Sequence, residues 1–453
     1  MPTFQGQAIS QLLWALATAG FYSPTVFEKA AKRALNQSSL FTPTAVAKTV
    51  WAFATARVPA TDLFEAFTQD ALRKMKGVNA KDLATTAWAY ASASVEAPAL
   101  FEAIASEATR RSNLLQASEC ATLVWACAEA GVTKPAFYDA VATPLSLHLA
   151  TLTSKEVANI VWAYSKAGCR ANALFESAAL TLDASELDTV ALSRTAWAYA
   201  TARFPAPELL EAISVDVAAR ADFSPAMLAE VAWAFAVLGA AGPQVEKALE
   251  NIADSATRPR FTQTEVATLA WSFATLGVVP HGLFDCLAKQ LAFDDVEDTD
   301  LVKLQVASLF LLQAAPGHAL TALLAQHEDS LRRAALAEVR FGERSRKQLS
   351  RLLVKLGWAH EASFFTDEGL RIDFAHESRH GKVALGFANV DDYLVGAGAE
   401  RVLDGPAKCK DALLQASGWH VVRLPFYEWN PLETFDAKEA YLRGKVDIPE
   451  KAV

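Results

Sequence analysis

Apolar and polar positions alternate with a helical period along most of the chain, and tryptophan marks a longer repeat. Tryptophans recur at intervals of 37, 37, 37, 37, 35, 36 and 38 residues, at Trp14, Trp51, Trp88, Trp125, Trp162, Trp197, Trp233 and Trp271. A fixed period of this length is typical of arrays in which each repeat is one supersecondary unit and terminal copies are atypical. Leu311, in the segment LQVASLFLLQ, stands where a ninth, degenerate copy would carry its tryptophan.

Each repeat predicts two helices. Nine residues before the tryptophan stands a polar residue, most often of an N-cap type, at Gln5, Thr42, Asn79, Gln116, Thr153, Asp188, Ser224 and Thr262. A glycine about six residues after the tryptophan commonly ends this first helix, and a proline opens the second one. The predicted fold is therefore mostly α, a helical-hairpin solenoid of about 8–9 repeats of about 37 residues each.

A helical wheel divides the first helix into three faces, with positions counted from the tryptophan. Positions −5, −2, −1 and +2 are apolar, and we expect them to face the second helix of the same repeat. Positions −4, +1 and +3 are mostly alanine, which would let neighbouring first helices approach closely. The tryptophan lies at the border of the alanine face and the polar face, where packing between repeats is favoured over stacking on a base.

Positions −3 and +4 form the polar face. Position −3 is polar in every copy, and half of the residues at the two positions are Ser or Thr, which disfavour helix interiors. Varied uncharged donors and acceptors are what a protein needs to read one RNA base per repeat. A solvated face and a protein-binding groove are the alternatives. The candidate RNA-binding residues on this face are Gln11, Lys48, Thr85, Thr122, Asn159, Arg194, Thr268 and Lys166.

The composition changes after residue 290. An acidic run over residues 293–300 predicts a connector, and further helices follow through residue 356. Residues 340–355 carry six basic residues and one acidic residue, with a basic stripe at Arg344, Lys347, Arg351 and Lys355. This stripe adds four candidates for contact with RNA phosphates, although simple solvation explains it equally well.

From about residue 365 the period shortens towards 2, which predicts strands in LRIDFAH, KVALGFA and GWHVVRLPF and a small α/β domain. Helices are expected near residues 407–417 and 437–442. The sequence His376-Glu377-Ser378-Arg379-His380 matches the H-E-x-x-H zinc pattern, but that chemistry requires both histidines on one helical face. Here the motif falls in a turn between two strands, so we expect no metal and no cofactor.

Composition and charge restrict the class of protein. With 52% hydrophobic and 21% charged residues the chain can bury large cores, and its net charge of −9 argues against a generally cationic, RNA-coating protein. The sequence contains no run of about 18 apolar residues, so no membrane span is predicted. Five dispersed cysteines form no C-x-x-C pair and fit a reducing compartment. The first residues, MPTFQGQAIS, show no evident targeting segment.

The C-terminal stretch resembles a RAP domain, a module at the end of many organellar RNA-handling proteins. The matching features are Arg371-Ile372-Asp373, Lys382 to Leu385, Leu403-Asp404-Gly405-Pro406, Gly418 to Pro425, Tyr427-Glu428-Trp429 and Tyr441-Leu442. The repeats resemble octotricopeptide and heptatricopeptide arrays, and the order of array and RAP domain is similar to that of FAST-kinase-like mitochondrial proteins. The predicted domains are residues 1–290 (solenoid), 291–364 (degenerate capping repeat and basic connecting helices) and 365–447 (RAP domain).

The resemblance implies a restriction-endonuclease-like fold for the last domain and RNA binding in a mitochondrial matrix or a chloroplast. A nuclease would need two metal-binding carboxylates, and only Asp373 stands at such a position, because Gly386-Phe387-Ala388 occupies the second one. We therefore expect no enzyme. The expected function is to hold single-stranded mRNA or rRNA along the first helices, in processing, stability, translation or ribosome assembly. The alternative is a protein scaffold within a ribosome or other ribonucleoprotein.

Overall fold

The protein is described by a computed structural model that covers residues 5–257, 260–280, 282–337, 343–378, 381–396 and 401–446. The chain divides into two compact units, residues 1–202 and 203–453. In the first unit, first helices alternate with second helices, as the repeat predicts. The first helices are α1 (Gly6–Thr18), α3 (Pro43–Ala56), α5 (Ala80–Ser92), α7 (Ala117–Glu129), α9 (Ser154–Lys166) and α11 (Thr189–Ala202). The second helices are α2 (Pro24–Leu35), α4 (Thr61–Lys74), α6 (Pro98–Arg110), α8 (Pro135–His148) and α10 (Asn172–Thr181).

The predicted N-cap positions are confirmed. Every first helix of the eight tryptophan repeats begins one residue after the predicted N-cap. In α9 the Thr153 hydroxyl accepts the N–H of Glu156 at 3.3 Å, and the Glu156 carboxylate accepts the N–H of Thr153 at 2.9 Å. Such a capping box satisfies two of the backbone donors that a helix N-terminus leaves without partners. The local sequence therefore fixes where each repeat starts.

Alanine lets the first helices pack side by side. The alanines at position +1 in the first unit are fully buried from the second repeat on, at Ala52, Ala89, Ala126, Ala163 and Ala198. Within this unit, each first helix from α1 to α9 contacts the first helix of the next repeat along much of its length. A residue without a side chain beyond Cβ at this contact allows backbones to approach closely, which confirms the predicted role of the alanine face.

Position +2 was predicted to face the second helix of its own repeat, and this prediction was wrong. The tyrosines at this position reach the second helix of the preceding repeat. The Tyr90 hydroxyl donates to the backbone carbonyl of Phe64 at 2.7 Å, and the Tyr164 hydroxyl donates to the backbone carbonyl of Tyr138 at 2.7 Å. A helical wheel gives only the direction of a side chain around its own helix, not which repeat supplies the partner. Burial raises the pKa of both phenols, so they remain protonated donors.

The second unit continues with helical hairpins and ends in a domain that contains a sheet. Its helices are α12 (Pro207–Ala219), α13 (Pro225–Leu238), α14 (Pro243–Ala256), α15 (Gln263–Thr275), α16 (Leu283–Gln290), α17 (Asp298–Ala314), α18 (Ala319–Gln326), α19 (Glu328–Ala337), α20 (Glu343–Lys355), α21 (Gly405–Ala416), α22 (Phe426–Trp429) and α23 (Phe435–Lys445). Its strands are β1 (Glu361–Phe365), β2 (Arg371–Ser378), β3 (Gly381–Ala388), β4 (Tyr393–Val395), β5 (Arg401–Leu403) and β6 (Trp419–Pro425).

Four strands form a mixed sheet in the order β1-β2-β3-β6. Antiparallel pairing joins β1 to β2 and β2 to β3, while β3 pairs in parallel with β6 through the crossover helix α21. The order of elements, helix–three strands–helix–strand, agrees with the α/β architecture expected for this domain. The sequence pattern missed β1 and the β4–β5 hairpin, because β4 and β5 are only three residues long and carry too few positions to show a period of 2.

Both faces of the sheet are covered, and helices from before the sheet supply part of each core. On one face, Leu349 and Leu353 of α20 pack with Phe374, Leu385 and Leu424. The other core combines Leu413 and Leu414 of α21 with Ile372 and with Leu309 of α17. Helix α17 also packs against α15 of the repeats. The sheet domain therefore shares its hydrophobic core with the last helices of the array.

Two adjacent residues of α20 test this shared core. Leu353 is fully buried and Val354 is 66% exposed. We expect Leu353→Ala to lower the free energy of unfolding by about 2–5 kcal/mol, because it removes buried methyl groups and leaves a cavity. Val354→Ala should change it by less than about 0.5 kcal/mol. Denaturant unfolding followed by tryptophan fluorescence measures both, and equal effects of the two substitutions would contradict this packing.

Candidate nucleic-acid interface

The predicted polar face is accessible in the first unit. Gln11 and Lys166 are exposed, and Lys48, Thr85, Thr122, Asn159 and Arg194 are half-buried. All of them project from first helices, at positions −3 and +4, as the wheel predicts. The structure thus places these seven candidates on equivalent sites of one helix layer, with at least part of each side chain in contact with solvent.

Position −3 of one repeat meets the tryptophan of the repeat before it. The Lys48 ammonium lies 5.6 Å from the ring centre of Trp14, and the Arg194 guanidinium lies 5.0 Å from that of Trp162. A cation over an indole face within about 6 Å is attracted by the ring quadrupole. The −3 residues, which form a polar column along the array, and the tryptophans therefore share one surface. The Lys48–Trp14 site and the Arg194–Trp162 site are each built from two consecutive repeats.

The tryptophans are packed to different degrees. Trp14 is 44% exposed, while Trp162 is only 8% exposed and has the Lys166 ammonium 4.5 Å from its ring centre in addition to Arg194. The other tryptophans of the repeats are half-buried. This distribution agrees with a mainly structural role for the rings, because cations already occupy the faces of two of them.

The threonines of the column have used their donor hydrogens. The Thr85 hydroxyl donates to the carbonyl of Lys81 at 2.8 Å, and the Thr122 hydroxyl donates to that of Ser118 at 2.9 Å. A hydroxyl that donates in this way still offers its oxygen as an acceptor. Lys166 is also engaged, in an ion pair of 2.9 Å with Glu129 of the preceding repeat. The column therefore presents acceptors at Thr85 and Thr122 and cations at Lys48 and Arg194.

In the second unit, the candidate Thr268 is on α15 and the other described candidates are on α20. The Thr268 hydroxyl accepts a hydrogen bond from Lys303 of α17 at 3.1 Å. Lys347, Arg351 and Lys355 are exposed along α20, as the stripe predicts, and the Lys355 ammonium lies 4.1 Å from the ring centre of Phe435. The side chain of Arg344 lies outside the described part of the chain. Lys347, Arg351 and Lys355 are exposed to solvent on α20, where a phosphate chain could approach them.

Asp373 is held by protein groups. One carboxylate oxygen lies 3.1 Å from the guanidinium of Arg346, and the other accepts the N–H of Phe387 at 3.0 Å. The β2–β3 ladder runs as far as the Phe374–Leu385 pair, and the Asp373 side chain bonds to β3 beyond that point. Both partners of the ion pair are about nine-tenths buried. Arg346 thus supplies the positive charge that a metal would supply in a nuclease.

The H-E-x-x-H motif does not form a helix where it can be seen. His376, Glu377 and Ser378 lie on β2, whereas Arg379 and His380 lie outside the described residues. The His376 ring is hydrogen-bonded through Nδ1 to the carbonyl of Ala359. Within the described part of the chain, no three His, Cys, Asp or Glu side chains are grouped as a metal would require.

A basic surface on the second helices was missed at the sequence level. Arg73, Lys76 and Arg110 are exposed at the C-terminal ends of α4 and α6, around a shallow groove of about 870 Å³. The hydrogen bond from Arg110, at 2.6 Å, lowers the pKa of the buried Glu107 carboxyl. The signal in the sequence is a basic pair or triplet at the end of each of the first three second helices, α2, α4 and α6, which also interacts favourably with the helix dipole. It competes with the first-helix face as a site for anions.

Comparisons with known families match both ends of the chain. The RAP domain family matches residues 397–445, which hold β5, α21, β6, α22 and α23. The chain carries a RAP domain. The family described as RNA-editing substrate-binding complex 6 protein matches residues 1–135, within the first four tryptophan repeats. No curated protein matches the sequence.

The RAP match confirms the resemblance inferred from the strand and helix motifs. It includes the segment Leu403–Pro406, which leads into the first turn of α21, and the segment Tyr427–Trp429 in α22. The sheet extends further towards the N-terminus than the matched residues, because β1, β2 and β3 precede them. Across the described residues, none of the helices combines the length and the apolar character needed to cross a bilayer.

The ion pair in the RAP domain gives a stability test. We expect Arg346→Met to cost about 3 kcal/mol of unfolding free energy, because it leaves the Asp373 carboxylate buried without its countercharge. The double variant R346M/D373N should recover much of that loss. Arg351→Met, on the exposed side of the same helix, serves as the control and should be near neutral. A double variant as unstable as R346M alone would show that the pair is not the source of the effect.

Proposed function

We propose that this protein binds single-stranded RNA along the first helices of its repeats and acts in the RNA metabolism of an organelle of mitochondrial type. RNA processing, stability, translation and ribosome assembly all fit such a role. Two matches support the proposal: the RAP domain, a module of organellar RNA-handling proteins, and the family named for an RNA-editing substrate-binding complex. These matches lie at opposite ends of the chain, and the repeats connect them.

The observation that carries the proposal is the composite site between consecutive repeats. Lys48 over Trp14 and Arg194 over Trp162 place a cation beside an aromatic ring on the accessible face of the helix layer. Single-stranded RNA is commonly bound through cations that meet its phosphates, and here the tryptophan ring holds the cation in place. The −3 residue and the tryptophan recur once per repeat, so they provide one nucleotide position for each step of the array, with a cation at the two sites named.

The side chains of the −3 column differ in what they offer to a base. Thr85 and Thr122 present acceptors, because their donor hydrogens are bonded within the helix. Asn159 and Gln11 carry amides, which combine donors with an acceptor and can pair with a base edge. A run of such differences along the array is a means of selecting one sequence over another.

Charge favours a weak, local contact with phosphates. The repeats over residues 1–290 contain 22 basic and 26 acidic residues, so the array as a whole does not attract RNA. Lys347, Arg351 and Lys355 on α20 and the cations of the column supply positive charge locally. The matched family is named after a substrate-binding complex. We therefore also propose that protein partners in a ribonucleoprotein help to retain the RNA.

We further propose that the protein is not a nuclease. Asp373 is neutralised by Arg346, and Gly386 and Phe387 on the facing strand provide no second carboxylate. Hydrolysis of RNA by a metal-dependent nuclease of this kind requires carboxylates that hold the cation and orient the attacking water. The role of the domain would then be binding and positioning.

A triple substitution tests whether RNA binds to the polar face of the first helices. Lys48→Met, Asn159→Ala and Arg194→Met together should weaken RNA binding, and the slope of log affinity against log salt should fall by about 1.4, at about 0.7 per lost phosphate contact. The control is Lys29→Met, Lys32→Met and Asn36→Ala, which makes the same charge change on exposed residues of α2 and its C-cap. Fluorescence anisotropy with a labelled RNA pool measures both. Equal losses in the two variants would reject the first-helix face.

A cleavage assay tests the absence of catalysis. Labelled single-stranded RNA incubated with the protein and either Mg²⁺ or Mn²⁺ should remain intact. Asp373→Asn should behave in the same way as the unmodified protein in this assay. Metal-dependent cleavage that disappears in D373N would establish a nuclease and overturn this part of the proposal.

A further inference from the structure

The RAP domain contacts the repeats at the ends of two first helices. Helix α21 packs against α13 and α15. At its start, Gly405 lies so close to α13 that a methyl group on it would stand 1.7 Å from the carbonyl oxygen of Ala236. One turn further along, the Cys409 thiol lies 3.9 Å from the carbonyl oxygen of Ala274 at the end of α15.

An ion pair with a buried carboxylate lies at this contact. Asp404, only 2% exposed, accepts the N–H of Ala407 with one oxygen at 2.8 Å and pairs through the other with Arg203. Burial raises the pKa of the Asp404 carboxyl, and the Ala407 N–H and the Arg203 guanidinium oppose that change. The carbonyl of Arg203 also accepts the N–H of Val395 at 2.9 Å. The segment Leu403–Pro406 therefore acts in docking, and it leaves no group free for chemistry at that point.

The helix ends that α21 contacts carry position +4 of the seventh and eighth repeats. Ala236 and Ala274 are the +3 residues, and Val237 and Thr275 follow them directly. Val237 is 4% exposed. Thr275 is half-buried, as Thr55 of the second repeat is, but its hydroxyl lies against the Cys409 thiol of α21. In the first unit the +4 residues Thr18, Ser92, Lys166 and Thr201 are exposed, and Thr55 and Glu129 are half-buried. The +4 residues of the seventh and eighth repeats therefore differ in lying at the helix ends that α21 contacts.

The tryptophans of these two repeats also face the RAP domain. Trp233 and Trp271 line a cleft of about 830 Å³ that they share with Arg371, Asp411 and Arg423 of the domain. The cationic and acidic residues around this cleft nearly balance, and Arg423 is paired with Asp411 at 2.7 Å. A cleft with nearly balanced charges would not attract the phosphates of a bound RNA.

We infer that helix α21 covers the +4 column of the seventh and eighth repeats and so sets the end of the RNA-binding track. The inference rests on the proposed function and adds to it that the RAP domain limits how many nucleotides the array holds. RNA contacts would be confined to the first six repeats while the domain is docked. Release of the domain would expose two further repeats and two further nucleotide positions.

The test uses Gly405→Ala, which places a methyl group against the Ala236 carbonyl, in the full-length protein. Asp404→Asn is the second variant, because it retains an acceptor for the Ala407 N–H and removes the charge that Arg203 meets. Gly444→Ala is the matched control, since a Cβ at that RAP-domain glycine meets no atom within 4 Å. Hydrogen exchange reports docking without RNA, through the amides near residues 236–240 and 274–278.

Nuclease footprints on bound single-stranded RNA supply the second readout. Gly405→Ala should speed exchange at both helix ends and lengthen the protected RNA by about two nucleotides, one for each uncovered repeat. Gly444→Ala should leave exchange and footprint unchanged. Faster exchange with an unchanged footprint would overturn the inference, as would unchanged exchange in both G405A and D404N. A complete lack of protected RNA with the unmodified protein would instead reject the proposed function itself.

Discussion

The contact between alanines of neighbouring first helices is the constraint on which the candidate interface depends. Ala52, Ala89 and Ala126 are fully buried where consecutive helices meet, so the helix axes can lie close together. Only at such a short separation can Lys48 of one repeat reach the ring of Trp14 in the repeat before it. A larger residue at position +1 would push the helices apart and separate the two halves of each composite site. The candidate surface is thus a consequence of how the core is packed.

Much of the array could be predicted from local sequence, because its information is local. N-cap residues such as Thr153, and prolines such as Pro207, fix helix ends within a few residues of chain. The partner of position +2 could not be predicted, since the hydroxyl of Tyr90 bonds to a residue 26 positions away in another repeat. The pairing of Arg346 with Asp373 was missed for the same reason: the two residues meet only when α20 covers the sheet.

The candidate site shows the same limit. Sequence periodicity identified Lys48, Thr85 and Arg194 as members of one column, and the structure places them on equivalent first-helix sites. It could not indicate that α21 lies over the +4 ends of the seventh and eighth first helices, because that depends on Gly405 lying against Ala236, 169 residues apart in the sequence. The RAP domain and the array therefore have to be considered together: the domain shares its core with α17 and occupies helix ends that belong to the repeats.

The central claim is that RNA lies on the first helices, and ultraviolet crosslinking in the native cell tests it most directly. RNA-bound peptides identified by mass spectrometry locate the contact, and sequencing identifies the RNA. We expect crosslinks in α1, α3, α5, α7, α9 and α11, at or beside the tryptophan and the −3 residue, on one transcript or one rRNA segment. Crosslinks confined to Arg73, Lys76 and Arg110 on the second helices would contradict it. Recovery of a stable set of proteins with no RNA would identify a scaffold.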